Sequence, residues 1–345
     1  MSTAGPPQGA KAPLGGSGPR AAGERGGGFR VQRRPVHGVL LLDKPLGLSS
    51  NQALQKAKWL LRAEKAGHTG TLDPLATGVL PLCFGAATKF SQGHLDADKT
   101  YETTVRLGVT TTTADAEGEV VRTTPVSCSA GDVVEVLDRF TGPIRQLPPM
   151  HSALKKDGKA LYDYARAGQT VEREPREVLI HELELLDMDL TGEQPFLRLR
   201  VKCSKGTYIR TLGEDIGVAL GCGGHLVALR RVATGPFDVS QCITLAALEA
   251  LDEPQRSAQL KPPEVLLPDH TPVTLASDDA GRFLSGMRRR GLWPDAARVA
   301  VFGERPHALL GTAHIQAGEI IPDRLLSPLE IQQILQAALS RGARS

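Results

Sequence analysis

The sequence of 345 residues predicts a large mixed α/β domain followed by a smaller β-rich module. From residue 37 to 268, short apolar or alternating segments are interleaved with segments of helical spacing, as expected when strands and helices share one domain. From 269 to 326, short apolar stretches are broken by Gly and Pro, a pattern that favours strands. The length also exceeds that of one typical domain.

Residues 1–36 are predicted to form a disordered basic tail. They are rich in Gly, Pro and Ala and show no apolar periodicity, so they offer too little apolar surface to offset the entropy of ordering. Six of these residues are basic and one is acidic, whereas the whole chain has a formal net charge of +3. A polyanion bound by the rest of the chain would therefore need a local basic surface.

The first half of the α/β domain contains two predicted strands around a long irregular segment. The apolar run 37–43 predicts a buried strand that ends at Lys44, and residues 51–62 have helical spacing after a serine that can cap a helix. Residues 66–88 are rich in Gly, Thr and Pro and are expected to be irregular, with a length that is usually functional. Residues 100–107 alternate as a half-buried strand.

The second half of the chain continues the same alternation of strands and helices. Helices are predicted at 131–140 and 161–167. The clearest strand is 197–203, because its apolar residues face one side and its basic residues the other. A helix is expected from 208 to 220. The segment 327–345 is predicted to be a helix and tail, because its first four residues have a capping-box spacing with Pro at the first helical position.

Several classes of function lack support in the sequence. There is no G-x-x-x-x-G-K-[ST] loop, no G-x-G-x-x-G after a strand and no H-E-x-x-H, so neither a nucleotide cofactor nor a catalytic zinc ion is expected. The five cysteines include no C-x-x-C pair and are expected to be free thiols. The chain has neither an apolar run of membrane-helix length nor a hydrophobic signal segment, which predicts a cytoplasmic protein.

One segment carries the chemistry. Residues 67–81 read Gly-His-Thr-Gly-Thr-Leu-Asp-Pro-Leu-Ala-Thr-Gly-Val-Leu-Pro. They place Asp73 in a loop that Pro74 stiffens and that glycines allow to turn. An isolated Asp-Pro pair is usually only a turn former. The continuous fifteen-residue pattern, however, resembles the catalytic loop of the TruB family of tRNA pseudouridine synthases, G-H-T-G-x-L-D-P-x-A-x-G-x-L-P.

The resemblance implies a pseudouridine synthase fold with a mixed, largely antiparallel sheet, and a reaction that needs no cofactor or metal. Asp73 would be the nucleophile. It would attack C1′ of the ribose, or C6 of the uracil, in a uridine flipped out of its RNA, so that the base detaches, rotates and rejoins through carbon. One carboxylate suits this reaction, because a glycosidase normally uses two and activated water would compete with return of the base.

Further stretches fit the same family in the same order. Residues 42–51 resemble its K-P-x-G motif, which places Lys44 beside the catalytic loop. Residues 99–101 resemble its K-x-Y motif, which implies that Tyr101 stacks on the target base and takes part in catalysis, although an isolated strand tyrosine is more often part of a core. Asp115 lies in a third stretch that resembles a family segment.

Residues 203–211, Cys-Ser-Lys-Gly-Thr-Tyr-Ile-Arg-Thr, are the second specific match. They imply that Arg210 pairs with Asp73, where the alternative is a generic surface ion pair, and that Tyr208 contacts the flipped base. A later stretch resembles the family's L-R-R segment. It implies that Leu229 lines the uracil pocket, with plain core as the alternative, and that the two following arginines serve structure or phosphate contact.

Three more features concern how the protein would reach the target base and bind the RNA. The resemblance implies that His68 occupies the space left by the flipped base, with a capping role as the alternative. Residues 141–176 concentrate cations, including Lys155, and resemble an RNA-gripping insertion, where the alternative is a solvated basic helix. The module at 269–326 loosely resembles the PUA domain, which binds the acceptor end of tRNA.

The resemblance as a whole implies conversion of uridine 55 in the T loop of tRNA. The expected partner is tRNA, bound through its T stem-loop and acceptor end by a monomer that needs no obligate protein partner and no membrane. Two alternatives are a guide-dependent synthase that modifies ribosomal RNA and a tRNA-folding chaperone without essential catalysis. The insertion argues against the first, and the set of Asp73, Tyr101 and Arg210 argues against the second.

Overall fold

The computed structural model describes residues 32–152 and 154–342, and residues 33–342 belong to one compact unit. Most of the tail expected at 1–36 lies outside the described residues. Its last residues are ordered, because the Arg34 N–H donates to Arg62 O at 2.8 Å and the Arg34 carbonyl accepts from Glu64 N–H at 3.2 Å. The ordered chain therefore begins before residue 37. No helix within the described ranges is long and apolar enough to cross a membrane.

A ten-stranded sheet organises the α/β part of the described chain. Its strands run in the order β14-β1-β3-β12-β4-β11-β10-β7, with β2 paired to β3 and β13 paired to β12. The strands up to residue 244 are β1 (Gly38–Lys44), β2 (Ala66–His68), β3 (Ala76–Phe84), β4 (Lys99–Leu107), β5 (Val109–Thr111), β6 (Val120–Thr123), β7 (Gly142–Gln146), β8 (Lys155–Lys156), β9 (Lys159–Ala160), β10 (Arg176–Asp189), β11 (Phe196–Cys203), β12 (Gly224–Thr234), β13 (Phe237–Asp238) and β14 (Ile243–Thr244).

The pairing in this sheet is mixed but largely antiparallel. Strand β1 pairs with β14 in parallel, and β12 pairs with β3 in parallel, whereas the other pairs of the sheet are antiparallel. The expected fold class is therefore confirmed. Strand β12 lies between β3 and β4, which brings three strands together at the centre of the sheet.

The α-helices of this part are α1 (Ser50–Leu60), α2 (Ser91–Leu95), α3 (Ala130–Arg139), α4 (Leu161–Arg166), α5 (Ile209–Ala219), α6 (Leu245–Ala250) and α7 (Glu253–Ala258). Of these, α1, α3, α5 and α6 supply buried residues to the main core. Of the two serines that the sequence offers as a cap, Ser49 caps α1, because its side chain accepts from the Gln52 N–H; the Gln52 side chain completes a capping box. Residues 39–42 of β1 are all apolar because both faces of the strand are covered there. Leu40 and Leu42 join the main core, and Val39 and Leu41 join a second one.

The prediction of an irregular segment at 66–88 is wrong for its second half. Residues 76–84 form β3, which pairs with β1, β2 and β12 and is buried over almost its whole length. Gly78 and Pro81 concealed this strand in the sequence, because both residues are rare inside strands. Gly78 has a φ of 102°, and an added Cβ there would lie 2.1 Å from Arg231 O. The chains approach so closely at this point that only glycine fits.

The β-rich module follows from residue 271 and carries its own sheet, in the order β15-β17-β18-β19-β16. The second core of the protein is shared by the module and the large domain. It contains Val79 and Cys83 of β3 together with Leu309 and Leu326. The module's elements are β15 (Thr271–Leu275), α8 (Ser277–Leu284), β16 (Arg289–Arg290), β17 (Ala296–Glu304), β18 (His307–Gln316), β19 (Glu319–Leu325) and α9 (Pro328–Gly342). The last of these is the final helix that the sequence predicts, and it too begins with a capping box.

Candidate active site

The Asp73 loop, residues 69–75, connects β2 to β3 and places one carboxylate beside the centre of the sheet. The loop is closed by a hydrogen bond from the Ala76 N–H to Asp73 O at 3.0 Å. Ser50, at the start of α1, fixes the residue before the aspartate. Its Oγ accepts from the Leu72 N–H at 2.7 Å and donates to Leu72 O at 3.1 Å. The backbone is thus held while the Asp73 side chain remains 40% exposed.

Arg210, on the first turn of α5, is the main partner of this carboxylate. Its Nη2 lies 3.0 Å from Asp73 Oδ2, and its Nε lies 3.6 Å from Asp115 Oδ2. The same guanidinium donates to Thr113 O at 3.2 Å and to His151 O at 2.6 Å. The side chain of Arg210 is only 6% exposed, so two carboxylates and two carbonyls replace the water around its charge. This arrangement fixes the orientation of the Asp73 carboxylate.

Asp115 supports Arg210 from behind. It is buried, and its Oδ1 accepts from the Glu117 N–H at 3.0 Å and from Thr113 Oγ1 at 2.5 Å. The preceding residue, Ala114, has a φ of 58°, which turns the chain so that the carboxylate faces inward. Asp115 therefore holds the guanidinium in place and is itself held by its own turn.

The opposite side of the site is built by the sheet. Tyr101 on β4 lies in register with Arg231 on β12, and both side chains are buried. Burial raises the pKa of the Tyr101 phenol, and the positive charge of Arg231 opposes this rise. Arg231 Nε donates to Val79 O at 2.7 Å, and its Nη2 donates to Gly70 O at 3.4 Å. Because Gly70 belongs to the Asp73 loop, Arg231 joins that loop to the sheet.

Lys44 completes this side at the end of β1. It is fully buried, and its Nζ donates to Pro45 O at 2.9 Å and to Leu48 O at 2.5 Å. Burial lowers the pKa of Lys44 to about 8, and the carboxylates of Asp73 and Glu117 oppose this shift. Among the described residues, no carboxylate forms an ion pair with Lys44, although the charge of Asp73 still acts on it.

The remaining residues singled out in the sequence lie at different distances from this cluster. Leu229 is buried on β12, and His68 is half-buried at the end of β2, where burial, followed by the charge of Arg231, lowers its pKa. Tyr208 immediately precedes α5. Lys155 is exposed on β8 in the insertion, and no contact described for it reaches Asp73. The structure therefore brings the aspartate, arginine, tyrosine and buried lysine together and leaves Lys155 apart.

Sequence reasoning missed two residues that the structure places near the site. Arg231 was assigned only a structural or phosphate-binding role, but it contacts the Asp73 loop. Strand alternation could have revealed this, since residues two apart share a face and Leu229 was expected to face inward. Gln146 belongs to the stretch that resembles the RNA-gripping insertion, but the sequence gives it no role of its own. It is buried and bonds to the backbone of Tyr208.

The chemistry available at the site comes from these side chains. Within residues 32–152 and 154–342, no group of His, Cys, Asp and Glu side chains is arranged to hold a metal ion. The five cysteines are free thiols. The arrangement offers a partly exposed carboxylate that can act as a nucleophile, a buried guanidinium that orients it, and the buried aromatic ring of Tyr101 on β4.

Comparison with known families identifies relatives over most of the chain. A model described as the N-terminal domain of the TruB family of pseudouridylate synthases matches residues 58–209, and a model of the tRNA pseudouridylate synthase B C-terminal domain matches 210–271. The tRNA pseudouridine synthase B of Verminephrobacter eiseniae is 64% identical over 90% of this chain and 95% of its own length. The synthase of the same name from Cupriavidus pinatubonensis is 59% identical over 86% of this chain and 96% of its own.

Two solved structures with the same fold are chains of larger complexes. The chain resembles one in a Cbf5-Nop10-Gar1 complex with a TM-score of 0.63 and 25% identity, over 87% of both chains. It also resembles a chain in an H/ACA RNP bound to a substrate RNA containing 2′-deoxyuridine, with a TM-score of 0.62 and 24% identity, over 85% of this chain and 86% of that one. The second likeness concerns the fold alone.

Proposed function

The chain belongs to the TruB family of pseudouridylate synthases, and we propose that it converts the uridine at position 55, in the T loop of tRNA, to pseudouridine. The observation that carries this proposal is the 3.0 Å pair between Asp73, which is partly exposed, and Arg210, which is buried. A carboxylate held in one orientation and open on one side is suited to attack a group that enters from solution. The relatives named tRNA pseudouridine synthase B support tRNA as the substrate.

In the proposed reaction, Asp73 attacks the target nucleoside at C1′ or at C6 after the nucleotide has been extruded from its stack. The attack gives a covalent bond from Asp73 to the nucleoside, the bond between C1′ and N1 breaks, and the uracil rotates. A bond from C1′ to C5 then forms and the bond to Asp73 breaks. C5 loses its proton and N1 gains one, so that the product is an isomer of the substrate and the Asp73 carboxylate is restored. Tyr101 stacks on the base and takes part in the proton transfer. Leu229 and Tyr208 line the space for the uracil, and Lys44 adds a positive charge nearby.

The proposed grip on RNA comes from two regions. His68, which is half-buried next to the Asp73 loop, takes the place of the extruded base. The insertion with Lys155 contacts phosphates of the T stem-loop, because exposed cations neutralise a polyanion without reading its sequence. The β-rich module contacts the acceptor end. We further propose that the protein acts as a monomer in the cytoplasm, without an obligate protein partner.

The test is pseudouridine mapping of an unmodified tRNA transcript incubated with the wild-type protein and with Asp73→Asn. The variant keeps the size of the side chain but lacks the nucleophilic carboxylate, so conversion should fall below detection while tRNA affinity stays within about threefold. Conversion at another uridine would overturn the assigned position. Conversion by Asp73→Asn at the wild-type rate would overturn the assigned nucleophile.

One alternative has an observation in its favour, namely the shared fold with chains of H/ACA and Cbf5 complexes. It proposes a synthase that acts on ribosomal RNA with a guide RNA. The same mapping experiment separates the two, because a guide-dependent synthase leaves a tRNA transcript unmodified when it is alone. The identity of 64% to a tRNA pseudouridine synthase B over 90% of the chain favours action without a guide.

A second alternative is a tRNA-folding chaperone. It predicts that wild type and Asp73→Asn refold a misfolded tRNA transcript equally well, whether or not conversion occurs. Folding of the transcript can be followed by native gel mobility beside the mapping experiment. A chaperone role without conversion by the wild type would replace the proposed enzymatic function.

A further inference from the structure

Gln146 lies at the neck of the insertion. It is the last residue of β7 and pairs in register with Arg176, the first residue of β10. The chain leaves the sheet after Gln146 and returns to it at Arg176. Residues 147–175 therefore lie outside the sheet, and the pair of Gln146 and Arg176 joins the two ends of this segment. Although the insertion is largely exposed, Gln146 itself is only 1% exposed.

The amide of Gln146 bonds to both backbone groups of one residue. Its Oε1 accepts from the Tyr208 N–H at 3.0 Å, and its Nε2 donates to Tyr208 O at 3.2 Å. Tyr208 stands directly before α5, and its own side chain makes no capping hydrogen bond. The Tyr208 carbonyl also accepts from the Leu212 N–H. The glutamine therefore fixes the point at which α5 begins.

A second contact joins the same two regions. Arg210 follows Tyr208 by two residues, and its Nη2 donates to His151 O, in the insertion, at 2.6 Å. The same nitrogen lies 3.0 Å from Asp73 Oδ2. The chain around the neck of the insertion thus contacts the start of α5 twice, once at the backbone of Tyr208 and once at the guanidinium that orients the nucleophile.

We propose that Gln146 is a positioning residue that fixes the segment from Tyr208 to Arg210. Through this segment, binding of the insertion to RNA is coupled to the orientation of Asp73. This inference rests on the proposed function of Asp73 and the insertion. When the insertion is bound to RNA, Gln146 and His151 hold Arg210 in contact with the Asp73 carboxylate. When Gln146 cannot bond to Tyr208, the start of α5 is free to shift, and displacements of about 1 Å can cost about 100-fold in rate.

The inference is tested with two substitutions at Gln146. Gln146→Met has nearly the same length and removes both hydrogen bonds. Gln146→Asn stays polar but is one methylene shorter, so it cannot reach both groups of Tyr208. Gln259→Met is the matched control, because Gln259 is exposed and its side chain forms no hydrogen bond described in the structure. Each protein is incubated with a T stem-loop transcript under single-turnover conditions at saturating protein, and its affinity for the transcript is measured separately.

The expected result is a split between rate and affinity. Gln146→Met should slow conversion of the bound transcript by about 10–100-fold, and Gln146→Asn by a smaller factor, while the dissociation constants stay within about threefold of wild type. The control should convert at the wild-type rate. The thermal unfolding of each variant is measured, and the assay is run below its unfolding temperature. A lower rate then cannot come from a smaller fraction of folded protein.

Two outcomes would overturn the inference. One is a Gln146→Met rate within twofold of wild type, which means that the bonds to Tyr208 do not position Arg210. The other is a rate that falls only through weaker binding and is restored at saturation, which means that Gln146 serves RNA affinity alone. Failure of the proposed function has a different signature, since the wild type itself would then leave the transcript unconverted.

Discussion

The two sides of Asp73 are built by different means. On the inner side, Lys44, Tyr101 and Arg231 stand on β1, β4 and β12, whose backbones are paired within one sheet. On the outer side, Arg210 and Asp115 stand at the start of a helix and in a turn. There the Arg210 guanidinium is held by the Asp115 carboxylate and by the backbone carbonyls of Thr113 and His151.

The charges on the two sides also differ. On the outer side, Arg210 is compensated by two carboxylates. On the inner side, Lys44 and Arg231 are buried and bond to backbone carbonyls, and within the described chain no carboxylate forms an ion pair with either of them. The inner side is therefore a fixed positive environment, and the outer side is a set of bonds that can be made and broken. Under the proposed function, RNA bound to the insertion would act first on the outer side, because His151 of the insertion bonds to Arg210.

The largest expected effect comes from breaking the outer side at Arg210. Arg210→Met should slow single-turnover conversion by about 10²–10³-fold, since Asp73 loses the partner that orients it and Asp115 loses its buried cation. Arg210→Lys should recover part of this loss, because an ammonium group can contact one carboxylate but cannot span both. Rates are measured by quenched conversion of labelled tRNA at saturating protein.

If Arg210→Met converts tRNA at the wild-type rate, the outer side does not orient the nucleophile. A loss of folding can be recognised by circular dichroism and by the protein's affinity for tRNA. The comparison of the two substitutions controls for the loss of side-chain volume, because lysine fills nearly the same space as methionine.

The inner side should respond through stability rather than through orientation. Gly78→Ala places a Cβ 2.1 Å from Arg231 O at a φ of 102°, so β3 and β12 must separate to accept it. The free energy of unfolding should fall by about 2–4 kcal/mol, which combines the cost of this backbone conformation with that of overpacking. Urea unfolding followed by circular dichroism measures the change.

Gly67→Ala is the matched control for this prediction. Gly67 lies on β2, a few residues before the Asp73 loop, and an added Cβ there meets no atom within 4 Å. Its stability should stay within about 0.5 kcal/mol of wild type. Equal losses of unfolding free energy in the two variants would mean that the close approach of β3 to β12 does not hold the inner side in place.

The smallest effect concerns the charge of Lys44. Its pKa falls from an ordinary 10.5 to about 8 in the folded protein. Between these pH values the unfolded chain holds a proton that the folded chain has released, so this group makes stability rise with pH in that window. From pH 8 to 9.5, the stability of wild type relative to Lys44→Met should rise by about 1–2 kcal/mol. Urea unfolding of both proteins at each pH measures this difference, and a constant difference would contradict it.

The ion pair of the outer side could be predicted from the sequence, whereas on the inner side the sequence implied Lys44 and Tyr101 but not the strand and the arginine that join them to the Asp73 loop. Asp73 and Arg210 lie in two stretches whose residue types are specific enough to imply their pairing, although they are 137 positions apart. Strand β3 was not predicted, because Gly78 and Pro81 interrupt its pattern and its partner β12 is distant in the chain. For Arg231 the sequence leaves structure and phosphate contact open, and the fold shows that its side chain reaches the Asp73 loop.

The helices and caps were predictable because they depend on neighbouring residues. The serine that caps α1 and the four residues that open α9 are local signals, and the structure contains both capping boxes. Gln146 had no such signal. A glutamine before a pair of prolines is ordinary in sequence, and its partner Tyr208 is brought near only when β7 pairs with β10.

Strand β3 also fixes a distance across the molecule. One end follows Asp73, and the chain beyond the other end reaches Lys89, which bonds to Leu325 O and to Glu330 at the start of α9. Nine residues of strand span roughly 30 Å. An RNA that touches both the carboxylate and the far face must be at least that long, whereas a short hairpin meets the carboxylate alone. The length of this strand thus sets the shortest RNA that can contact both regions at once.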